Sequence, residues 1–200
     1  MRSFVSDVVR QYNIRPFCVR AAVITYSSTA TAPILLTSYS SVNSLVDAIG
    51  QLQFLGGSSN LAAALNLLQS QVFSGSVVRR NAVRIAIIIT DQLQSSSLIT
   101  TAASSVRLAG ITLIGVGIVG PGRVSFNYLI DLTSNRWAIQ VSDYSRLISE
   151  ARNTIVQQYG CLPYDPPPTT ASPGILSCCW IKKCTLLLSV LLSLIQTISC

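Results

Sequence analysis

Residues 85–89 (IAIII) are apolar at every position, and Thr90 and Asp91 end the run abruptly. A strand apolar throughout, and not at alternate positions, is covered on both faces, which predicts a parallel sheet inside an α/β layer structure. Asp91 then stands at the carboxyl end of that strand, the edge of an open α/β sheet at which ligands bind. A second polar loop, Gly56, Gly57, Ser58, Ser59 and Asn60, precedes a helical pattern and can reach the same edge.

Helical and extended patterns alternate through the first 160 residues. Phe4, Val5, Val8, Val9 and Tyr12 share one helical face, and Asn13 ends that run ahead of Pro16. Residues 19–26 read as a strand, and residues 32–36 as a shorter one that Pro33 confines to a sheet edge; so few residues separate them that an antiparallel hairpin is expected. Ser41 reads as the N-cap of a helix with the stripe Leu45, Val46, Ile49 and Leu52. The next helix carries Leu61, Ala64, Leu65, Leu68 and Val72 and stops at Ser74, Gly75 and Ser76. Leu98, Ile99, Ala102, Ala103, Val106 and Ala109 follow at helical spacing, with Gly110 as terminator. Residues 111–116 form a buried strand, Phe126, Leu129 and Ile130 a short helix, and residues 137–141 a last strand. Tyr144, Leu147, Ile148, Ala151 and Ile155 make a final helix opening at Ser142 or Asp143. Strands joined by helical crossovers mean a mostly parallel sheet.

Past Tyr159 the pattern stops. Residues 163–173 are rich in Pro and Thr and read as an extended linker. Beyond them lie Cys178, Cys179, two lysines, Cys184 and an apolar run. The expected organisation is a domain over 1–160, a Pro/Thr/Cys-rich linker over 161–184 and a hydrophobic tail over 185–200. The apolar part of the tail is about fifteen residues, short of the ~20 that span a bilayer. It reads equally as a marginal membrane anchor, as the end of a glycolipid-anchor signal with attachment at Ser172 or Gly174, or as the product of a misplaced exon boundary. Met1 leads straight into an amphipathic helix with no apolar signal region, so an internal start and a fragment are expected.

Composition changes the picture in two places. Histidine is absent, which closes off Ser-His-Asp and Cys-His catalysis and ordinary zinc chemistry, so no catalytic residue is assigned. The net charge is +7, but the twelve arginines are scattered and only Arg79, Arg80 and Arg84 cluster, without interleaved aromatics; nucleic acid is not expected as a partner. Six cysteines argue for an oxidising compartment, with Cys18 read as a buried thiol. Residues 115–120 (GVGIVG) match a dinucleotide fingerprint literally, but Pro121 and Gly122 interrupt where a helix must begin to meet a pyrophosphate. A nucleotide-binding enzyme using Gly115 to Gly120 is kept as the rival reading, and an inactive fragment without a partner as a third.

With these motifs in this order, the chain resembles the von Willebrand factor type A domain. The resemblance rests on residues 19–27 (VRAAVITYS), 54–60 (FLGGSSN) with Ala64 and Leu65, 87–91 (IIITD), 108–112 (LAGIT) and 114–117 (IGVG). It implies a three-layer, Rossmann-like α/β fold whose mostly parallel central sheet has one antiparallel edge strand. It also implies a non-enzymatic module that binds an extracellular matrix or cell-surface protein through the carboxyl-edge loops, here Gly57, Ser58, Ser59, Asn60, Asp91 and Gln92, and works outside the cell. In this family a metal-ion-dependent site uses an Asp-x-Ser-x-Ser loop, a Thr and the Asp of a Thr-Asp-Gly; Ser59 matches the Thr and Asp91 the Asp. Gln92 replaces the Gly, and no Asp-x-Ser-x-Ser exists, so the ligand set is too small to compete with hydration of Mg²⁺ unless such a segment lies upstream. Without metal, Ser59 reads as a helix cap and Asp91 as an acceptor for loop amides. Cys161 resembles a closing cysteine whose partner lies before the first strand.

The resemblance also makes the family's first, central strand missing. Its neighbours, residues 19–26 and 83–90, would expose unpaired edges in the interior, where each orphaned backbone group costs about 1–3 kcal/mol. The expectation is therefore a central gap, or residues 19–26 pulled across to pair with 83–90, and instability of residues 1–160 alone.

Overall fold

In the computed structural model, the described residues are 1–53, 56–75, 78–79, 82–91, 95–119, 125–134, 137–159 and 186–193. The chain order is α1 (Arg2–Val9), β1 (Arg20–Tyr26), β2 (Ala30–Ile34), α2 (Val42–Gly50), α3 (Leu61–Leu67), β3 (Val83–Thr90), α4 (Ser97–Leu108), β4 (Ile111–Ile118), α5 (Phe126–Leu132), β5 (Ala138–Val141), α6 (Asn153–Tyr159) and β6 (Leu186–Ser193). A wider turn, Leu68–Val72, extends α3, and a 3₁₀ turn at Tyr144–Arg146 followed by Leu147–Arg152 leads into α6.

The local signals act where the sequence places them. The Ser41 side chain accepts from the Ser44 amide to start α2, and the Asp143 side chain accepts from the Ser145 and Arg146 amides to start the last helical stretch. Gly110, at φ 73°, takes the left-handed conformation that ends α4. β1 and β2 form the antiparallel hairpin, with Val23 opposite Ile34, and Pro33 lies on the outer edge, where a missing donor costs no ladder bond. Leu98 and Leu108 are exposed, so the α4 stripe is narrower than its apolar spacing predicts.

Helices cover both faces of the sheet. On one side, Phe4, Val8, Leu45, Ile49, Leu147 and Ile155 pack against Val23, Ile85, Ile87 and Ile89. On the other, Leu61, Leu65, Leu68, Ala103, Val106 and Leu129 pack against Ala22, Ile24, Ala86 and Ile88. Successive residues of β3 point to opposite faces, and both are apolar because both are covered.

The centre of the sheet departs from expectation. The strand order is β2-β1-β6-β3-β4-β5, and β6 runs parallel to both neighbours, with Val190 opposite Val23 on one side and Ile87 on the other. The position of the family's first strand is thus filled by β6 from the far end of the sequence, so no gap opens and β1 is not pulled across to β3. Residues 186–193, left by the sequence as part of a hydrophobic tail with three readings, take the place the first strand has in the family order. Two facing parallel edges lined with unpaired amides and carbonyls favour any extended apolar segment that can reach them, and the chain carries one. No helix among the described residues is long and apolar enough to cross a membrane. Residues 161–184, including Cys161, fall outside the described residues.

Candidate functional site

The carboxyl edge is built from the ends of β1 and β3 and the loop before α3. β1 ends at Tyr26, and the turn after it is closed by the Ser27 amide donating to the Thr29 carbonyl at 2.8 Å. The loop before α3 is stapled to that turn through Asn60. Its amide donates to the Ser27 carbonyl at 2.7 Å and its side-chain nitrogen to the Ser28 carbonyl at 3.3 Å, while its side-chain oxygen accepts from the Ala63 amide at 3.1 Å. Asn60, and not Ser59, is thus the cap of α3. Gly57 reaches φ 95°, a left-handed conformation that side chains disfavour, so glycine suits the loop at this turn.

Ser59 is left with a buried hydroxyl that has no hydrogen-bond partner among the described residues. Asp91, at the end of β3, is 2% exposed. One of its oxygens accepts from the Tyr144 hydroxyl at 2.5 Å, and the other is buried and unpartnered among the described residues. The expectation that loop amides satisfy Asp91 is corrected: a tyrosine from the far end of the sheet does so. Sequence reading placed Tyr144 on a buried helical stripe. Its position directly after the capping Asp143, past the end of β5, was the available signal that it faces this edge.

Both residues matched to metal ligands therefore carry an orphaned hard oxygen, a feature that buried polar groups rarely show without a reason. Together they supply one carboxylate and one hydroxyl. No group of three His, Cys, Asp or Glu residues that could hold a metal ion occurs among the described residues. Among the described residues these two matched groups are fewer donors than an octahedral Mg²⁺ site draws on, so by themselves they do not fit the ion. Gly57, Ser58 and Asn60 are exposed beside it, while Gln92 falls outside the described residues.

The rival glycine motif has a different use. Gly115 and Gly117 lie within β4, not in a turn between strand and helix, and Gly120 falls outside the described residues. A Cβ on Gly115 would come within 2.7 Å of Leu129 Cγ, so this glycine lets α5 approach the sheet. Three of the arginines are occupied structurally: Arg79 donates to the Pro16 and Cys18 carbonyls at 3.3 and 2.5 Å, Arg2 to those of Gly50 and Leu52, and Arg107 to those of Asp131 and Leu132. Burial lowers the Arg79 pKa, helped by the Arg20 charge nearby. Cys18 is corrected from a free thiol to a disulfide-bonded cysteine.

Comparison with known proteins agrees with this architecture. The chain is 26% identical over 156 residues to the collagen alpha-5(VI) chain of Mus musculus, covering 76% of this chain and 6% of that one. It is 30% identical over 150 residues to the collagen alpha-1(XII) chain of Notophthalmus viridescens, covering 74% and 16%. The chain thus spans a small fraction of the relatives it matches. Among solved structures, proximal thread matrix protein 1 from the mussel byssus superposes with a TM-score of 0.70 at 22% identity, covering 79% of this chain and 39% of that one. A further structure of that protein, with a zinc-occupied MIDAS motif, gives a TM-score of 0.71 at 16% identity, covering 80% and 42%. The sequence model of the von Willebrand factor type A domain matches residues 1–153, and the chain belongs to that family.

Proposed function

We propose that this chain is a non-enzymatic adhesion or matrix module that works outside the cell and recognises a protein partner with its carboxyl-edge loops. The observation that carries this reading is the pair of orphaned oxygens on Ser59 and Asp91, flanked by the exposed Gly57, Ser58 and Asn60. The collagen relatives support a matrix setting, and the structural use of Arg2, Arg79 and Arg107 supports a partner other than nucleic acid. The metal site is incomplete: Mg²⁺ binds only if a further Asp-x-Ser-x-Ser segment joins Ser59 and Asp91.

Solid-phase binding to a panel of purified matrix proteins, with and without Mg²⁺, tests the reading. Ser58→Arg, on the exposed loop, is expected to reduce capture at least tenfold with an unchanged melting temperature. Millimolar Mg²⁺ is expected to leave the melting temperature of this chain unchanged, because stabilisation grows only as the logarithm of ligand over dissociation constant. Stabilisation by NAD, FAD or ATP would instead favour the nucleotide-binding rival.

A further inference from the structure

Among the described residues, β1 pairs only with β2 and β6, and β3 only with β4 and β6. Lifting out residues 186–193 would leave two parallel strands facing each other across a slot one strand wide. Its register is fixed from both walls: Ala22 and Ala86 oppose Ser189, Val23 and Ile87 oppose Val190, and Ile24 and Ile88 oppose Leu191. The wall residues Val23, Ile24, Ile87 and Ile88 are at most 1% exposed, and helices cover both faces. Such a slot accepts an extended segment of about eight residues without proline or charge, because every backbone group must pair and both faces are dry. The sequence LLLSVLLS meets those conditions.

The way this strand arrives is unlike the others. β1 to β5 succeed one another through hairpin or helical connections, whereas residues 160–185, with prolines at 163, 166, 167, 168 and 173, separate α6 from β6. Two-sided pairing of a strand so remote in sequence from both of its neighbours means that the slot's walls, and not a local connection, specify its place.

We propose that the slot between β1 and β3 is a strand-acceptor site for an extended, uncharged, apolar peptide lying parallel to both walls. Residues 186–193 are its resident occupant, replaceable by the same segment supplied in trans.

The test uses the full chain with a specific protease site within residues 163–173, cut after folding, and a fluorescent synthetic peptide covering residues 182–197 with Cys184→Ser. With dithiothreitol present, incorporation approaching one label per chain is expected while the amides of β1 and β3 stay protected, and no incorporation overturns the proposal. A peptide carrying Val190→Pro is expected not to enter, because proline removes a ladder donor in a strand paired on both sides. Equal uptake of the proline peptide overturns the proposal. In a second arm the uncut chain carries Val190→Pro and is refolded with or without the unaltered peptide. At least tenfold slower amide exchange in β1 and β3 with peptide is expected. No gain, or full protection without peptide, overturns the proposal.

Discussion

The two halves of the sheet solve the same problem differently. β3, β4 and β5 run parallel and are joined by helical crossovers, with β3 and β4 buried on both faces; β1 and β2 are a hairpin whose outer strand alternates toward solvent. Side-chain packing from above and below holds β3, β4 and β1 alike, and the hairpin adds its own ladder and the clamp of Asn60 on its turn. What joins them is β6. An α/β sheet can thus consist of two locally specified pieces plus a strand from elsewhere in the chain.

The comparison breaks most sharply with Ile88→Ala, on β3 with no exposed surface, which is expected to cost about 2–5 kcal/mol in urea unfolding. Pro33→Thr on the exposed strand β2 is expected to stay within about 0.5 kcal/mol while making the edge a better template for association, read by light scattering. A destabilisation at Pro33 as large as that at Ile88 would abolish the contrast. Gly115→Val comes next. Its side chain would meet Leu129 and Thr133, so a loss of about 1–3 kcal/mol is expected as α5 is pushed from β4.

A finer comparison separates two neighbours in one loop. Asn60→Ala removes the α3 cap and is expected to cost about 1 kcal/mol. Ser59→Ala removes an orphaned buried hydroxyl and is expected to be neutral or stabilising. The reverse order in chemical denaturation would restore Ser59 as the cap.

The smallest expected effect concerns pH. The Ser145 side-chain hydroxyl, followed by Ser142 and the backbone amides of Ser145 and Arg146, holds the Asp143 carboxyl below its ordinary range. A depressed folded pKa favours the charged form, so this contribution is present above the unfolded carboxylate pKa and fades as pH falls through the folded one. Asp143→Asn is expected to flatten the acid limb of the stability profile slightly. Because Asp143 is fully solvated, the change is a small one.

These contrasts track what the sequence reveals. The α/β class, the hairpin, the edge placement of Pro33 and the buried stripes of α1 and α3 are legible because periodicity and caps act within a few residues. Ser59 and Asp91 stand out in the sequence because they lie in motifs. Tyr144 was not, since its bond to Asp91 spans 53 positions and leaves no local trace. The placement of residues 186–193 was missed for the same reason. LLLSVLLS lacks strict alternation, and so apolar a run reads equally as membrane-facing or as core.

The central position of β6 also has a mechanical meaning. Tension applied to the chain beyond residue 193 acts along the strand axis, so seven register partners on β1 and seven on β3 resist together in shear. Tension that peels β2 from its edge opens its ladder one bond at a time. Resistance to forced unfolding is set by the barrier and not by the net stability, so the strand attached last should be the hardest to draw out along its length. A module loaded through its C-terminal side would then carry load in its strongest direction.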